Sequence, residues 1–198
     1  MITLSLDVST NTGWAVFYDG GLIDRGNFLV KDKKISYLEH TEESMLAMLN
    51  ASRNLANRVE SVIDYYEVDE VVIEQTNRSR SRWSQKMLEW LHYAIVARIL
   101  GAYEFDVDIY YIDTSEWRSI LGIRMTNADK KHNREVRNGK ARGKLTAKHL
   151  AVRWANQMFG LELKQKDNDI ADALALATAF FVKEKRIEVI SGRRKKKV

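Results

Sequence analysis

The chain has 198 residues and a formal net charge of +5, enough for one domain with a core of its own. It has no cysteine, which excludes disulfides and thiolate zinc centres, and no apolar run long enough to span a bilayer. The charge is uneven: residues 124–148 carry +7 and residues 193–197 carry +5, which leaves the remainder at −7. An acidic body with two basic appendages suits a polyanionic partner; a solvated loop and a disordered tail explain the same numbers.

Residues 2–8 alternate Ile, Leu, Leu and Val with small polar residues, and the turn-prone STNTG follows. Trp14–Tyr18 and Leu22–Val30 flank Asp19-Gly20-Gly21, where glycine supplies the positive φ of a tight hairpin. The opening thirty residues therefore predict a three-stranded antiparallel meander. A helical apolar pattern runs over roughly 36–66, Val68–Glu74 reads as a buried strand, and 83–100 as a second helix. Val107–Ile112 is the fifth strand. A short helix follows at Thr114–Leu121, with Thr114 in the capping position. Residues 122–143 show no apolar periodicity and hold three glycines, so they read as a long mobile basic loop. Helices at 145–159 and 169–185 complete a domain over 1–187, with a basic, disordered tail at 188–198. The element order predicts an α/β fold: a five-stranded mixed sheet, three antiparallel N-terminal strands plus two further strands, flanked by helices.

Carboxylates sit where this pattern makes them costly. Asp7 lies inside the apolar run ITLSLDVSTNTGWAVF, and Glu74 closes VDEVVIEQ. Asp169 and Asp172, three apart, project from one face at the start of the last helix, where the helix dipole also favours acids as simple caps. Asp167 can share either role, and Asp7 can equally be a hydrogen-bonded support of the STNTG turn. Acids that converge repel and raise one another's pKa; a hard divalent cation relieves the repulsion. These residue types favour Mg²⁺, with Mn²⁺ as a substitute, and phosphodiester chemistry. Two ions about 3.5–4 Å apart can activate a water and stabilise a leaving 3′ oxygen.

The segments LSLDVSTNTGWAVF, VVIEQ, YYIDTSEWRSILGI and DIADALALATAFF, in that order, resemble the RuvC-like Holliday junction resolvases of the RNase H-like superfamily. The resemblance covers most of residues 1–183. It implies an RNase H-like fold in which Asp7, Glu74, Asp169 and Asp172 are the catalytic, metal-holding quartet. It also implies two Mg²⁺ ions per site, and a homodimer that nicks two strands of a four-way DNA junction symmetrically. Bacterial members insert an aromatic shortly after IEQ; here the first aromatic is Trp83, a candidate wedge or a core residue. The longer basic segment and the basic tail suggest a phage or viral branch, acting on flaps and forks as well as junctions.

DNA contacts are expected from Arg78, Arg80 and Arg82 beside the glutamate, and from Lys130, Lys131, Arg134, Lys140, Arg142 and Lys144 in the basic segment, with His132 near the phosphate. An exposed loop is the plain alternative for both. The helix at 83–100 carries two apolar stripes, Trp83, Met87, Trp90, Ala94 and Leu88, Leu91, Ile95, Ile99. One can cover the sheet and the other a partner subunit, or both can be buried in a monomer. No membrane association is expected. In the absence of an export signal the expected site of action is the cytoplasm, with host or viral DNA, and a nuclear or organellar site is left open. Competing readings are an RNase H-like enzyme acting on RNA–DNA hybrids or structured RNA, an actin-like phosphotransferase for which the chain is too short, and a non-catalytic branched-DNA-binding adaptor.

Overall fold

The computed structural model describes residues 1–30, 41–75, 82–104 and 106–187. Strands β1 (Ile2–Asp7), β2 (Asn11–Tyr18) and β3 (Gly21–Leu29) form the expected meander. The β2–β3 turn is Asp19-Gly20, with φ of +46° and +81°, the left-handed pair that a two-residue hairpin needs. Helix α1 (Glu42–Tyr66) leads to β4 (Glu70–Glu74), α2 (Arg82–Tyr103) to β5 (Asp108–Ile112), and α3 (Thr114–Ile120), α4 (Asn127–Arg137), α5 (Ala147–Phe159) and α6 (Asn168–Lys183) follow. The sheet order is β3-β2-β1-β4-β5. β1 pairs antiparallel with β2 and parallel with β4, and β4 pairs parallel with β5. This is the mixed five-stranded α/β architecture that the hydropathy pattern predicts.

The period of two in each strand sorts its side chains between two cores. Leu4, Leu6, Val16, Val71 and Ile73 face α1 and α2, where Leu55, Val59, Ile63, Leu91, Ile95 and Ile99 meet them. Ala15, Phe17 and Val72 face the opposite layer of α3, α5 and α6. Helix α6 lies across the centre of that second face, and its ADALALATAFF run is almost wholly buried. Its alanines let the helix sit close to the sheet. Ser5 Oγ on β1 donates to the Ala173 carbonyl at 2.8 Å, and at Gly13 on β2 an added Cβ would lie 1.9 Å from the carbonyl oxygen of Asp169. Only a residue without a side chain allows that approach.

The segment read as a mobile loop over 122–144 contains a helix. Helix α4 has a capping box: Thr126 Oγ1 accepts from the Asp129 amide at 3.1 Å, and Asp129 Oδ2 accepts from the Thr126 amide at 2.9 Å. Arg153 of α5 donates to Asp129 Oδ1 at 3.0 Å. Those hydrogen bonds, Thr126's first, hold the Asp129 carboxyl below the usual carboxylate range. Asn133 clamps the backbone of Leu145 on both its amide and its carbonyl, at 2.8 and 2.9 Å. Apolar periodicity is missing because polar clamps, rather than a buried stripe, hold this helix. One smaller correction concerns a cap: Asp113, not Thr114, caps α3, accepting from the Ser115 amide. Of the two readings of Trp83, wedge or core residue, the structure places it as a buried member of the α1–α2 core.

Candidate active site

The parallel register of β1 and β4 places Leu6 opposite Ile73. The next residues, Asp7 and Glu74, therefore stand side by side at the carboxyl ends of adjacent strands, both on the α6 face. Such strand ends are where open α/β sheets gather their ligands. Across β1, Asp7 is opposite Gly13, and the close approach of Asp169 at Gly13 brings the first turn of α6 over the same point. One turn on, Asp172 points the same way. A single topological feature thus unites acids from the beginning, middle and end of the described chain.

Their electrostatics follow from that crowding. Burial, and then the charge of Glu74, push the Asp7 carboxyl well above the usual carboxylate range; hydrogen-bonding contact with Glu74 and the charges of Asp172 and Asp169 add to the effect. Asp172 is pushed up to about 7, first by burial and then by Glu74, with Arg118 and Lys148 opposing. Its Oδ1 is buried and has no hydrogen-bond partner, which is costly for a carboxylate oxygen.

The other two acids are oriented by neutral donors. Glu74 Oε1 accepts from Thr114 Oγ1 at 2.5 Å and from the indole Nε1 of Trp117 at 3.0 Å. Asp169 Oδ2 accepts from Asn11 Nδ2, and its Oδ1 from Asn168 Nδ2 at 2.5 Å. Lys148 Nζ, at the start of α5, lies 3.9 Å from Asp169 Oδ1. Arg118 stacks on Trp117, 4.7 Å from the ring centroid, and its buried Nε has no partner. Behind the site, burial lowers the pKa of His92 to about 4, although Glu74 opposes the shift.

Among the described residues, no three acidic or histidine side chains are arranged as a finished metal cage. The donor chemistry nevertheless fits a hard cation: four carboxylates, one with an orphaned buried oxygen, mutually repelled and held on rigid elements. Thr114 and Trp117 share one oxygen of Glu74, and Asn11 and Asn168 take one oxygen each of Asp169.

Sequence reasoning missed the supporting residues. Asn11 lay within the recognised STNTG turn, and Thr114 was assigned to the helix cap rather than to Glu74. Trp117, Asn168, Arg118 and Gly13 carried no signal that could be read without the sheet register. Of the expected DNA contacts, Arg82, Lys130, Lys131, Arg134, Lys140, Arg142 and Lys144 are exposed. Arg78, Arg80 and the 193–197 tail lie outside the described residues.

No family model matches the sequence, and no curated protein resembles it at the level of sequence. Solved structures do. The fold is similar to that of solved Holliday junction resolvases. RuvC of Thermus thermophilus, solved in complex with a Holliday junction substrate, superposes with a TM-score of 0.61 at 15% identity, covering 94% of this chain and 97% of that one. The yeast mitochondrial Holliday junction resolvase Ydc2 gives a TM-score of 0.54 at 15% identity, covering 93% of this chain and 79% of its own.

Proposed function

We propose that the chain is a divalent-metal-dependent endonuclease for branched DNA, resolving four-way junctions by paired symmetric nicks as a homodimer. The observation that carries this reading is the meeting of Asp7, Glu74, Asp169 and Asp172 at one end of the sheet, with an orphaned Asp172 oxygen. Such a cluster is unfavourable for folding alone and makes sense as a cation site. The similarity in fold to the junction-bound RuvC supports the substrate class.

Asp7, Glu74, Asp169 and Asp172 would hold Mg²⁺ or Mn²⁺. The cation would supply charge stabilisation and an activated water for in-line displacement at phosphorus. Thr114 and Trp117 fix the Glu74 carboxylate, and Asn11 and Asn168 fix Asp169, so that neither has to be ordered during reaction. Exposed Arg82, Lys130, Lys131, Arg134, Lys140, Arg142 and Lys144 would grip phosphates without reading bases.

A second subunit would cover the groove between α1 and α2. That groove, of about 910 Å³, is lined by Leu49, Ala56, Trp90, Tyr93, Ala94 and Ala97 among others. Exposed Met45, Leu46 and Leu100 lie nearby on the same two helices. Trp90 and Ala94 of α2 are only partly buried within one chain, which leaves them apolar area to contribute to an interface.

The test is cleavage of end-labelled four-way junction, flap, duplex and RNA–DNA hybrid with Mg²⁺, for the wild type and Asp7→Asn. Paired junction nicks by the wild type only, with junction binding kept in the variant, are the expected result. Preferential cutting of the hybrid would move the protein to an RNase H activity. Tight binding without cutting by either form would make it an adaptor.

A further inference from the structure

A chain of side-chain amides leads from the exposed edge of the sheet to the acid cluster. On β3, the edge strand, side chains alternate between exposed and half-buried, and Asn27 belongs to the exposed set. The β2–β3 register pairs Asn27 with Gly13 and Asn11 with Leu29. Asn11 and Asn27 are therefore diagonal neighbours on one face of the sheet, and Gly13 has no side chain to stand between them. Asn27 Nδ2 donates to Asn11 Oδ1 at 2.9 Å, and Asn11 Nδ2 donates in turn to Asp169 Oδ2.

The direction of this chain follows from the chemistry of its members. A primary amide has a donor end and an acceptor end, and Asn11 must turn its donor to Asp169, because its oxygen would be repelled by a carboxylate. Asn27 enforces the same choice from the other side. An inverted Asn11 would set oxygen against the carboxylate and NH₂ against the NH₂ of Asn27, two repulsions in place of one. The Asn11 backbone is fixed independently, its amide donating to Ser9 Oγ at 3.0 Å. What Asn27 governs is thus the orientation of the Asn11 side chain alone. At the far end, Asn168 holds the other oxygen of Asp169 at 2.5 Å, so the carboxylate is clamped from both sides.

We propose that Asn27 is a positioning residue for the metal site: it keeps the Asn11 NH₂ on Asp169 Oδ2, and so fixes the direction in which Asp169 offers its free lone pairs to a divalent cation. This rests on the metal-site reading above and extends it to a residue on the exposed edge strand that is not itself a ligand.

The experiment measures binding of Mn²⁺ alone, by loss of the free-ion electron paramagnetic resonance signal. The proteins are the wild type, Asn27→Ala, Asn27→Gln and Asn27→Asp, and Asn11→Ala with and without Asn27→Ala. Asn27→Ala should bind Mn²⁺ about two- to fivefold more weakly, the scale of one neutral hydrogen bond, while its melting temperature in chelator stays within about 2 °C of the wild type. Asn27→Gln keeps the donor and should bind as the wild type does. Asn27→Asp keeps the shape and adds a negative charge, which by attraction alone would tighten binding of a cation. Its oxygens compete for the Asn11 NH₂, so it should instead bind at least as weakly as Asn27→Ala. Once Asn11 is replaced by alanine, Asn27→Ala should cost nothing further. Unchanged or tighter binding in Asn27→Ala, tighter binding in Asn27→Asp, or an equal loss in both backgrounds overturns the relay. Failure of the wild type itself to bind Mn²⁺ overturns the metal-site reading, a result distinct from equal binding by the whole series.

Discussion

Replacing Gly13 by alanine tests the geometric basis of the site. The new Cβ would lie 1.9 Å from the Asp169 carbonyl oxygen, 2.2 Å from its carbonyl carbon and 2.7 Å from the Ile170 nitrogen. All three are backbone atoms, so no rotamer change relieves the clash. Restoring van der Waals separation requires β2 and the first turn of α6 to part by about 1.5–2 Å. Helix α6 cannot slide freely, because Ala171, Ala173, Leu174, Ala175, Leu176 and Ala177 are fully buried. Overpacking of this kind costs about 1–3 kcal/mol, and the backbone character of the contact puts Gly13→Ala near the upper value. In a domain of this size that lowers Tm by about 6–12 °C. Because the shift falls on Asp169, a misplacement of about 1 Å at the site should also reduce cleavage about 100-fold. Thermal denaturation followed by circular dichroism and single-turnover cleavage well below the new Tm measure the two effects. A variant that melts within 2 °C, or roughly that, of the wild type and cleaves normally would refute the packing argument.

Two further outcomes follow from the electrostatics. In the unfolded chain Asp172 loses its proton near 3.8, whereas in the folded protein it keeps the proton up to about 7. Between those values the folded state binds more protons, so stability falls as pH rises through the window and levels off above it. Asp172→Asn should therefore be more stable than the wild type at pH 8 in chelator, by on the order of 2 kcal/mol after allowance for relaxation around the acids, and should lose that advantage near pH 4. An equal advantage at both pH values would show that repulsion is not the cause. Asp129→Ala removes the N3 half of the capping box of α4 and the partner of Arg153, at a local cost of about 1–2 kcal/mol. Backbone amides of 127–137 should then exchange faster, and junction affinity should fall with a shallower salt dependence. Unchanged exchange in that segment would mean that the capping box does not hold the helix.

The parts of this molecule legible in its sequence are those that depend on a local period. Leu4 and Leu6 against Thr3 and Ser5 give β1 its two faces, and Asp19-Gly20 gives the hairpin. Asp7 and Glu74 stand out because each interrupts or ends an apolar strand, and Asp169 and Asp172 because of their three-residue spacing. What was hidden depends on register between distant segments. Gly13 matters only because β2 places it beneath Asp169, and Thr114 and Trp117 only because β5 delivers α3 beside Glu74. Helix α4 escaped notice because its stability comes from Asp129, Asn133 and Arg153 rather than from an apolar stripe. Trp83 fits a wedge or a core residue equally well in sequence, and only the packing of α2 against α1 and the sheet places it in the core.

The position of α6 has a consequence for how the protein is made. The hydrogen bond from Ser5 to Ala173 joins residues 168 apart, and the helix covers a sheet face that β1, β2 and β4 complete much earlier in synthesis. A chain emerging from the ribosome already holds Asp7 and Glu74 but lacks the other two acids until residues 168–183 have left the exit tunnel. Docking of that one apolar helix both buries the second core and brings Asp169 and Asp172 to the first pair. The cluster's repulsion is thus offset by the burial of a whole helix. No partly made chain carries an assembled acidic centre, and a chain cut before α6 would lose the centre and its second core together.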